Sequence, residues 1–392
     1  MTRLNPWQQT SAVLAFCVAA ALLLPAQTFK TVRNFHGWDG NNPYAALVIG
    51  TDGNLYGTTV DGGPHHGGNI FKITPKGQLT RLYNFCSQAA CADGEYPVMA
   101  LVEGTDGNFY GTTQSGGTNG GWGTVFQITP TGTLTTLHSF GGPDGAGPYS
   151  PLLVTGNGTF YGTTNGGGSG YSGTVYEITS TGALTTLYNF CSQPGCTDGQ
   201  YPVGALLMGS DGNIYGTTHA GGDYSACNVD GCGTVFKMTI SGALTTLIAF
   251  DTTDGEYPYS GVVEGPGQIF YGTTGGGGAS NVGTVYSITG EGALTTLHSF
   301  DVKDGATPYG ILLASDGKLY GTTETRGAHF GGTVFRMTTD GAFSTVHSFD
   351  GTNGKNSYCG LVEGAKRVFY GTTYFGGTEN DGTVFSISLG EK

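Results

Sequence analysis

The side chains of this sequence that could carry chemistry are a small set of histidines, tyrosines and charged residues in irregular segments. They are His65, His66, His219, Tyr224, Glu95, Glu256, Arg326, His329 and Lys355. Imidazole and carboxylate groups can transfer protons, and a tyrosine ring can stack on a sugar. Adjacent His65 and His66 point in different directions and alone make a weak metal site. We therefore predict no metal and no cofactor.

Recognisable catalytic motifs do not accompany these residues. The sequence contains no Gly-x-Ser-x-Gly, no His-Glu-x-x-His and no phosphate loop. Glu95 and Glu256 occupy equivalent places in two distant repeats, so we expect them to lie farther apart than the roughly 5 to 9.5 Å that separates glycosidase carboxylates. Whether the protein is an enzyme stays open, with little in the sequence to favour it.

A second set of candidates is a tyrosine that recurs after a short Asp-Gly-x-x-Pro connection. It appears as Tyr44, Tyr149, Tyr259, Tyr309 and Tyr358, while Val98 and Val203 fill the position in the other two copies. One interpretation is packing between repeats. The other is a stacking surface for sugar rings, because tyrosine has an apolar face and a polar tip.

These candidates are positioned by a repeat that fills nearly the whole chain. The sequence Tyr-Gly-Thr-Thr occurs seven times, at Tyr56, Tyr110, Tyr161, Tyr215, Tyr271, Tyr320 and Tyr370. Each copy lies in a cassette of four short apolar runs rich in Val, Ile, Thr, Phe and Tyr, bounded by Gly, Asp and Asn, which predicts four strands. Asp-Gly pairs such as Asp52-Gly53 predict tight hairpins between the first two. Each cassette is therefore predicted to form one propeller blade.

The ends of the repeat predict a closed ring. The last cassette lacks its fourth strand, and the matching segment, Phe29 to Phe35, precedes the first cassette. An N-terminal strand that completes the last blade removes the exposed edges of an open array. We predict an all-β protein: a seven-bladed β-propeller of four-stranded antiparallel blades, closed by the N-terminal strand.

The sequence is predicted to divide into two regions. Residues 1–27 contain one charge and the apolar run Ser11 to Leu24, which predicts a secretory signal peptide cleaved near Ala26. Residues 28–392 are predicted to form a single domain. Its blades cover about residues 36–85, 86–140, 141–190, 191–250, 251–300, 301–349, and 350–392 with 28–35.

Charge and cysteine usage agree with export. The net charge of −13, with 11% charged residues and no basic run, disfavours nucleic acid as a partner. We expect a secreted, extracellular monomer that is not inserted in a membrane after signal cleavage, with the cell surface as an alternative location. Six cysteines form three pairs of equal spacing: Cys86 with Cys91, Cys191 with Cys196, and Cys227 with Cys232. They predict local disulfides of an oxidising compartment, and Cys359 is predicted to be a buried thiol.

A carboxylate before glycine also recurs, once per blade. It appears as Asp39, Asp93, Asp144, Asp198, Asp254 and Asp304, with Asn353 in the last copy. The simpler interpretation is that each folds its own connection through hydrogen bonds to the backbone. A ring of carboxylates around a metal is the alternative.

The cassette of Tyr-Gly-Thr-Thr, Gly-Thr-Val-Phe and Leu-Thr-Thr-Leu resembles the Gloeobacter/Verrucomicrobia repeat family of exported bacterial proteins, across residues 28 to 392. The resemblance implies a secreted or surface-attached protein without an assigned activity, and it supplies no catalytic residues. Members often carry a C-terminal sorting segment. This sequence ends in Ser386-Ile-Ser-Leu-Gly-Glu-Lys392 without an apolar tail, which favours free secretion.

Three functions are compatible with these observations. The first is an extracellular binding or scaffold module, with carbohydrate or a cell-surface polymer as ligand. The second is a secreted enzyme that degrades polysaccharide, using His, Tyr and Glu on one rim. The third is an envelope element for protein interaction without a small ligand. The expected ligand site comprises the five tyrosines with His65, His66, His219 and Tyr224.

Overall fold

The computed structural model describes residues 27–156, 158–227 and 230–390. The predicted signal peptide lies outside these residues except for Gln27, as does Asn157 of the third hairpin. Within the described residues the regular structure consists of strands and three single 3₁₀ turns, Ala89–Cys91, Pro194–Cys196 and Ala365–Arg367. No helix in the described part of the chain is long and apolar enough to cross a bilayer.

The strands, numbered in chain order, have the following bounds. They are β1 (Thr28–Asn34), β2 (Val48–Ile49), β3 (Leu55–Thr59), β4 (Asn69–Ile73), β5 (Leu79–Asn84), β6 (Val102–Glu103), β7 (Phe109–Thr113), β8 (Thr124–Ile128), β9 (Leu134–Ser139), β10 (Ala146–Pro148), β11 (Leu153–Val154), β12 (Thr159–Gly166), β13 (Thr174–Thr179), β14 (Leu184–Asn189), β15 (Leu207–Met208), β16 (Ile214–Thr218), β17 (Thr234–Met238), β18 (Leu244–Ala249), β19 (Val263–Gly265), β20 (Ile269–Thr274), β21 (Thr284–Thr289), β22 (Leu294–Ser299), β23 (Ala306–Leu313), β24 (Leu319–Thr325), β25 (Thr333–Met337), β26 (Phe343–Ser348), β27 (Val362–Glu363), β28 (Val368–Thr373) and β29 (Thr383–Ser388).

These strands form seven antiparallel sheets, one per blade, in a ring. Blades one, two, four, five and six are the successive quartets β2–β5, β6–β9, β15–β18, β19–β22 and β23–β26. Blade three contains β11–β14, and the short strand β10 also pairs with its second strand, β12. The predicted seven-bladed propeller is confirmed.

The ring closes through the N-terminal strand, as predicted. Blade seven consists of β27, β28, β29 and β1, and β1 pairs antiparallel with β29 from Thr28 opposite Ser388 to Asn34 opposite Thr383. Phe29 stacks on His347 with ring centroids 3.8 Å apart. The two ends of the described chain therefore share one sheet.

The Tyr-Gly-Thr-Thr motif recurs because each of its side chains has a separate task. In blade four the Tyr215 hydroxyl donates to Asp211 of the hairpin at 3.0 Å. The first threonine, Thr217, donates to the carbonyl of Ser260 in the next blade at 2.9 Å. The second, Thr218, lies 2.8 Å from the Thr234 hydroxyl on the neighbouring strand. The glycine is required because a Cβ at Gly216 would lie 2.4 Å from the Phe236 ring.

The hydrophobic core is divided among the boundaries between blades. Seven clusters of buried residues occur, and each joins two neighbouring blades. Between blades one and two, for example, Tyr56 and Phe85 pack with Leu101 and Phe109. Burial of these apolar surfaces stabilises the ring rather than any single blade.

The three predicted disulfides are present: Cys86–Cys91, Cys191–Cys196 and Cys227–Cys232. Cys359 is free and buried, and burial raises the pKa of its thiol. Local disulfides of this kind are typical of exported proteins.

Candidate functional site

The propeller has two rims with different construction. We call the near rim the side formed by the loops between second and third strands, such as residues 60–68, and by the connections between blades, such as residues 85–101. The far rim is the side formed by the remaining two turns of each blade, such as residues 50–54 and 74–78. All three disulfides lie on the near rim.

A central channel lies within the ring, and residues of the near-rim connections line its mouth. It encloses a cavity of about 260 Å³, lined by segments from all seven blades. Small residues such as Ala45, Ala100, Gly261 and Gly310 line its deeper part. Its lining also includes all five predicted tyrosines, Tyr44, Tyr149, Tyr259, Tyr309 and Tyr358. Each of them is half-buried.

These five tyrosines contact one another across the ring. Tyr44 stacks on Tyr358 at 5.0 Å between ring centroids, and Tyr259 stacks on Tyr309 at 4.7 Å. Edge contacts join the two pairs, with Tyr309 and Tyr358 at 5.1 Å. Tyr149 meets Tyr44 at 6.0 Å. These contacts are the packing between blades that the first interpretation describes, and the stacking of sugar rings on the tyrosines stays a prediction.

Three further residues border the tyrosines, and they share one position, directly after the Thr-Thr of their blades. They are His219, Glu324 and Tyr374. His219 lies 4.7 Å from the Tyr259 ring, and Tyr374 lies 5.3 Å from Tyr358. The Tyr358 hydroxyl donates to Glu324 Oε1 at 3.1 Å. Only His219 was among the predicted site residues. Alignment of the cassettes would have found the other two, because this position differs in every blade.

The electrostatics of the mouth favour neutral groups. Burial raises the pKa values of Tyr44, Tyr309 and Tyr358, and neighbouring hydroxyls and Glu324 raise them further. Burial also raises the pKa of Glu324, opposed in part by the hydrogen bond from Tyr358. The pKa of His219 is lowered to about 4 by burial, and its buried Nδ1 has no hydrogen-bond partner among the described residues. The mouth therefore offers a neutral imidazole and neutral hydroxyls.

The remaining predicted site residues lie apart from the mouth. His65 and His66 are exposed in the loop of blade one. Tyr224 donates to Gln200 Oε1 at 2.8 Å and lines a separate depression of about 360 Å³ with Gly195, Thr197 and Ser225. The structure groups only the five tyrosines and His219 at the channel.

The repeated aspartates do not face a common centre. In five blades the carboxylate contacts a side chain on the outer strand before it: Arg33 to Asp39, Tyr83 to Asp93, His138 to Asp144, Tyr188 to Asp198, and His298 to Asp304. Each also accepts a backbone N–H of its own connection, as Asp144 does from Gly141 at 2.8 Å. These contacts agree with the structural interpretation rather than with a shared metal ring. Before Asp254 the equivalent residue of the outer strand is aliphatic Ile248, and burial raises the pKa of the Asp254 carboxyl to about 6.

Large exposed aromatic residues are concentrated on the near rim. The described residues contain seven exposed aromatic side chains: Trp38, Tyr96, Trp122, Tyr171, Tyr201, Tyr224 and Phe330. All seven belong to near-rim loops or connections, whereas exposed Ile240 lies in a far-rim turn. Only Tyr224 was among the predicted site residues, and the other six were not. They could have been noticed as aromatics in loops where other copies carry Gly, Ser or Asn.

A left-handed residue in each connection fixes the near-rim loops. At one equivalent position of every connection, φ lies between 54° and 59°: Asn42, Tyr96, Gly147, Tyr201, Tyr257, Thr307 and Asn356. The N–H of this residue donates to a loop carbonyl of the preceding blade, as from Tyr96 to Gly67 at 2.9 Å. The left-handed conformation is unfavourable for residues such as threonine and tyrosine, so it must be held by its surroundings. The N–H bonds to the preceding blade do this, and they also attach each loop to the next blade through the main chain.

One group of side chains among the described residues has metal-ligand spacing, Cys86, Cys91 and Glu95. Its two sulfurs form a disulfide. They are therefore committed to each other rather than to an ion.

Comparison with known proteins adds a family and a fold. A model of the Gloeobacter/Verrucomicrobia repeat matches residues 21–229 and 224–392. No curated protein matches the chain.

Among solved structures, the chain is similar to two extracellular domains assigned to two-component systems of B. thetaiotaomicron. The first is 12% identical with a TM-score of 0.59, covering 92% of this chain and 41% of that one. The second is 10% identical with a TM-score of 0.61, covering 92% and 39%. The chain thus spans about two fifths of their length. A protein assigned as a 6-phosphogluconolactonase from Bacteroides fragilis is 19% identical with a TM-score of 0.52, covering 82% and 88%. At these identities the likeness shows the propeller fold alone.

Proposed function

The chain belongs to the Gloeobacter/Verrucomicrobia repeat family, and from the construction of its near rim we propose that it is an exported binding module whose ligand is carbohydrate. The observation that carries the proposal is the location of the exposed aromatics: all seven in the described residues lie on the rim where the tyrosine-lined channel opens. Exposed aromatic groups around a concave site are the usual means of binding sugar rings, which have apolar faces and polar edges.

The proposed site is the channel mouth and the loops around it. The tyrosines supply ring edges and hydroxyls, and His219 supplies a half-buried, neutral imidazole; the tyrosines are Tyr44, Tyr149, Tyr259, Tyr309 and Tyr358. His65, His66 and Tyr224 belong to flanking loops that a longer polymer would reach. Neutral hydroxyls and a neutral imidazole pair with sugar hydroxyls without the desolvation cost of a charge.

The surface chemistry agrees with a carbohydrate rather than a polyanion. The chain has a net charge of −13 and no basic run. Such a surface repels nucleic acid and leaves an uncharged polymer unaffected. We propose that the protein acts outside the cell as a monomer, released by signal cleavage.

A glycan array with the protein starting at Gln27 tests the proposal. We expect binding to at least one oligosaccharide, and Tyr149→Val should weaken it by about 1 to 3 kcal/mol. Valine occupies this position naturally at Val98 and Val203, so the variant should fold.

The matched control is Ile240→Ser on the far rim, where Ser180 stands at the equivalent position of blade three. It removes an exposed apolar side chain and should leave binding unchanged. Equal losses from both variants, or an array without any bound glycan, would rule the proposal out.

A polysaccharide-degrading enzyme is the second candidate. It is favoured by Glu324, whose pKa is raised by burial and whose carboxylate accepts the Tyr358 hydroxyl at 3.1 Å. A raised carboxyl pKa lies closer to the working pH, which suits general acid catalysis. Product release from the array oligosaccharides that is abolished in Glu324→Gln would establish this activity. Binding without release in the unmodified protein would exclude it for those sugars.

A further inference from the structure

A groove on the near rim between blades two and three has the features of a separate binding site. It has a volume of about 620 Å³ and lies away from the channel. We call it the Trp122–Tyr171 groove. Its lining consists of Trp122, Gly141, Gly142, Pro143, Ala146, Gly167, Gly168, Ser169, Tyr171, Thr186 and Asn189. None of these residues belongs to the channel mouth.

Two exposed aromatic side chains belong to its lining. Trp122 is 50% exposed, and Tyr171 is 82% exposed. Tyr171 also has a left-handed backbone, with φ of 56°, which is unfavourable for a bulky side chain. Blades five and seven place Asn281 and Asn380 at the same loop position, with the same backbone. Since asparagine tolerates that conformation better, folding alone does not explain the tyrosine.

Small residues and polar groups make up the rest of the lining. It includes four glycines and Pro143, and a Cβ at Gly168 would lie 2.5 Å from Asn189 Oδ1. Asn189 Oδ1 accepts the N–H of Ser169 at 2.9 Å, which orients the amide. Within the described residues, Asn189 Nδ2, the Thr186 hydroxyl, the Ser169 hydroxyl and Trp122 Nε1 form no hydrogen bond with protein. Donors and acceptors are therefore free beside an aromatic surface.

The charge of the groove and of the whole protein indicates which class of ligand fits. The groove has no charged residue in its lining although the chain carries a net charge of −13. A negatively charged polymer would be repelled by the protein as a whole, and a cation would find no carboxylate in the groove. An uncharged partner with apolar faces and many hydroxyl groups matches it.

We propose that the Trp122–Tyr171 groove binds the pyranose rings of an uncharged polysaccharide, with the rings stacked on the two aromatics and their hydroxyls bound by Asn189, Thr186 and Ser169. The inference rests on the proposed function and assigns the chain a second carbohydrate contact, independent of the channel mouth. A polymer that touches both places would gain affinity from the two contacts.

Affinity electrophoresis in native gels tests the proposal. The uncharged probes are barley β-glucan, xyloglucan and galactomannan, and the charged probes are polygalacturonate and alginate. We expect retardation by at least one uncharged probe, weakened at least tenfold in Trp122→Ser and in Tyr171→Asn. Serine stands at the tryptophan position in blade three, as Ser172. If Trp122→Ser does not fold, Tyr171→Asn alone carries the test.

Phe330→Asn is the matched control. Phe330 occupies the same loop position in blade six, is 67% exposed and has φ of 61°, but it is not part of the Trp122–Tyr171 groove. Its loss should leave retardation unchanged.

Retardation that persists in both groove variants but is lost in Tyr149→Val overturns the groove and supports the mouth. An equal loss in Phe330→Asn, or retardation by charged probes alone, also overturns it. Absence of retardation by every probe overturns this inference and the proposed function together.

Discussion

The far rim and the near rim are formed by the same strands, yet their polar side chains are used differently. On the far rim the hairpin aspartates of blades one, two, four and six each accept the hydroxyl of the motif tyrosine. Neighbouring blades are also joined there, since Ser210 bonds Glu264 of the next blade. These polar groups have partners inside the protein.

On the near rim the main chain holds the loops, and the side chains vary. The position after Thr-Thr is Val60, Gln114, Asn165, His219, Gly275, Glu324 or Tyr374. In the Trp122–Tyr171 groove, Asn189 Nδ2 and the hydroxyls of Thr186 and Ser169 form no hydrogen bond with protein among the described residues. The difference indicates that the far rim contributes stability and the near rim is available for contact.

Both rims depend on an intact ring, so the largest loss of stability should come from opening the ring. Deleting residues 27–35 removes β1 from blade seven and takes away buried Phe35 and the stacked Phe29. The ladder hydrogen bonds are each worth about 0.5 to 1.5 kcal/mol, and each large apolar side chain adds about 2 kcal/mol. The deletion should cost more than about 5 kcal/mol or cause aggregation, measured by thermal unfolding. An unchanged melting temperature would contradict the closure.

Asp211→Ala changes a far-rim contact and leaves the near rim unchanged. Asp211 accepts hydrogen bonds from Tyr215 and from Asn213, and it pairs with Lys237 at 2.7 Å. Its loss leaves a tyrosine hydroxyl without an acceptor and should cost about 2 to 3 kcal/mol in urea unfolding at pH 7. Binding of the folded fraction to glycans should be unchanged, the converse of Tyr149→Val.

The pH dependence of the same variant sharpens the test. Although burial raises it, the pKa of Asp211 is lowered overall, because hydrogen bonds from Lys237 and Asn213 favour the carboxylate. Its contribution is therefore present above the unfolded pKa of about 3.9 and is lost as the pH falls. The stability difference between the variant and the original protein should shrink below pH 4. A difference that stays constant with pH would exclude this origin.

A disulfide of the near rim should contribute less. Replacing Cys191 and Cys196 by serine opens a ring of six residues, and the chain-entropy estimate is about 2 kcal/mol. Peptide mapping should recover the three local pairs and show Cys359 slow to alkylate, since it is buried and its pKa is raised. A disulfide between Cys191 and Cys227, or any disulfide to Cys359, would contradict the assignment.

The smallest change in stability is expected at Asp254, for which the equivalent residue of the outer strand is aliphatic Ile248. Burial raises the pKa of Asp254 to about 6, so stability should fall as the pH rises from about 4 through 6. Asp254→Asn should remove this loss and stabilise the protein at pH 7 by about 1 kcal/mol, because solvent screens the half-buried carboxylate. Asn353 already fills the equivalent position, where Asp350 N–H donates to its side chain at 3.2 Å.

Asp304→Asn is the control for that variant. His298 donates to Asp304 at 2.8 Å, so the charged carboxylate has a partner there. The substitution should not stabilise the protein at pH 7. Equal stabilisation of both variants would show that the unpaired charge is not the cause.

The fold was predictable because its determinants repeat. The spacing of Tyr-Gly-Thr-Thr and the displaced segment Phe29 to Phe35 defined the blades and their closure. The disulfides were predictable because nearness along the chain is nearness in space at this spacing. The site was predictable only in part. The tyrosine position follows the proline of each connection, but the stacking of Tyr44 on Tyr358 depends on side-chain directions across the ring.

The groove could not be predicted for a related reason. Trp122 belongs to blade two and Tyr171 to blade three, and their loops become neighbours only through the rotation between blades. A periodic pattern records what the blades share. Residues that depart from it can be recognised, but the pattern does not say which of them lie together.

The seven left-handed residues of the connections have a consequence for how such a molecule can change. Each holds the loop of the blade before it through its own N–H, from Asn42 to Asp381 and onward around the ring. A peptide N–H is present whatever side chain the loop carries, so substitutions in a loop do not disturb its attachment. Blades can therefore be duplicated and their loops can diverge independently. The same propeller can acquire a new binding specificity by mutation of one near-rim loop at a time.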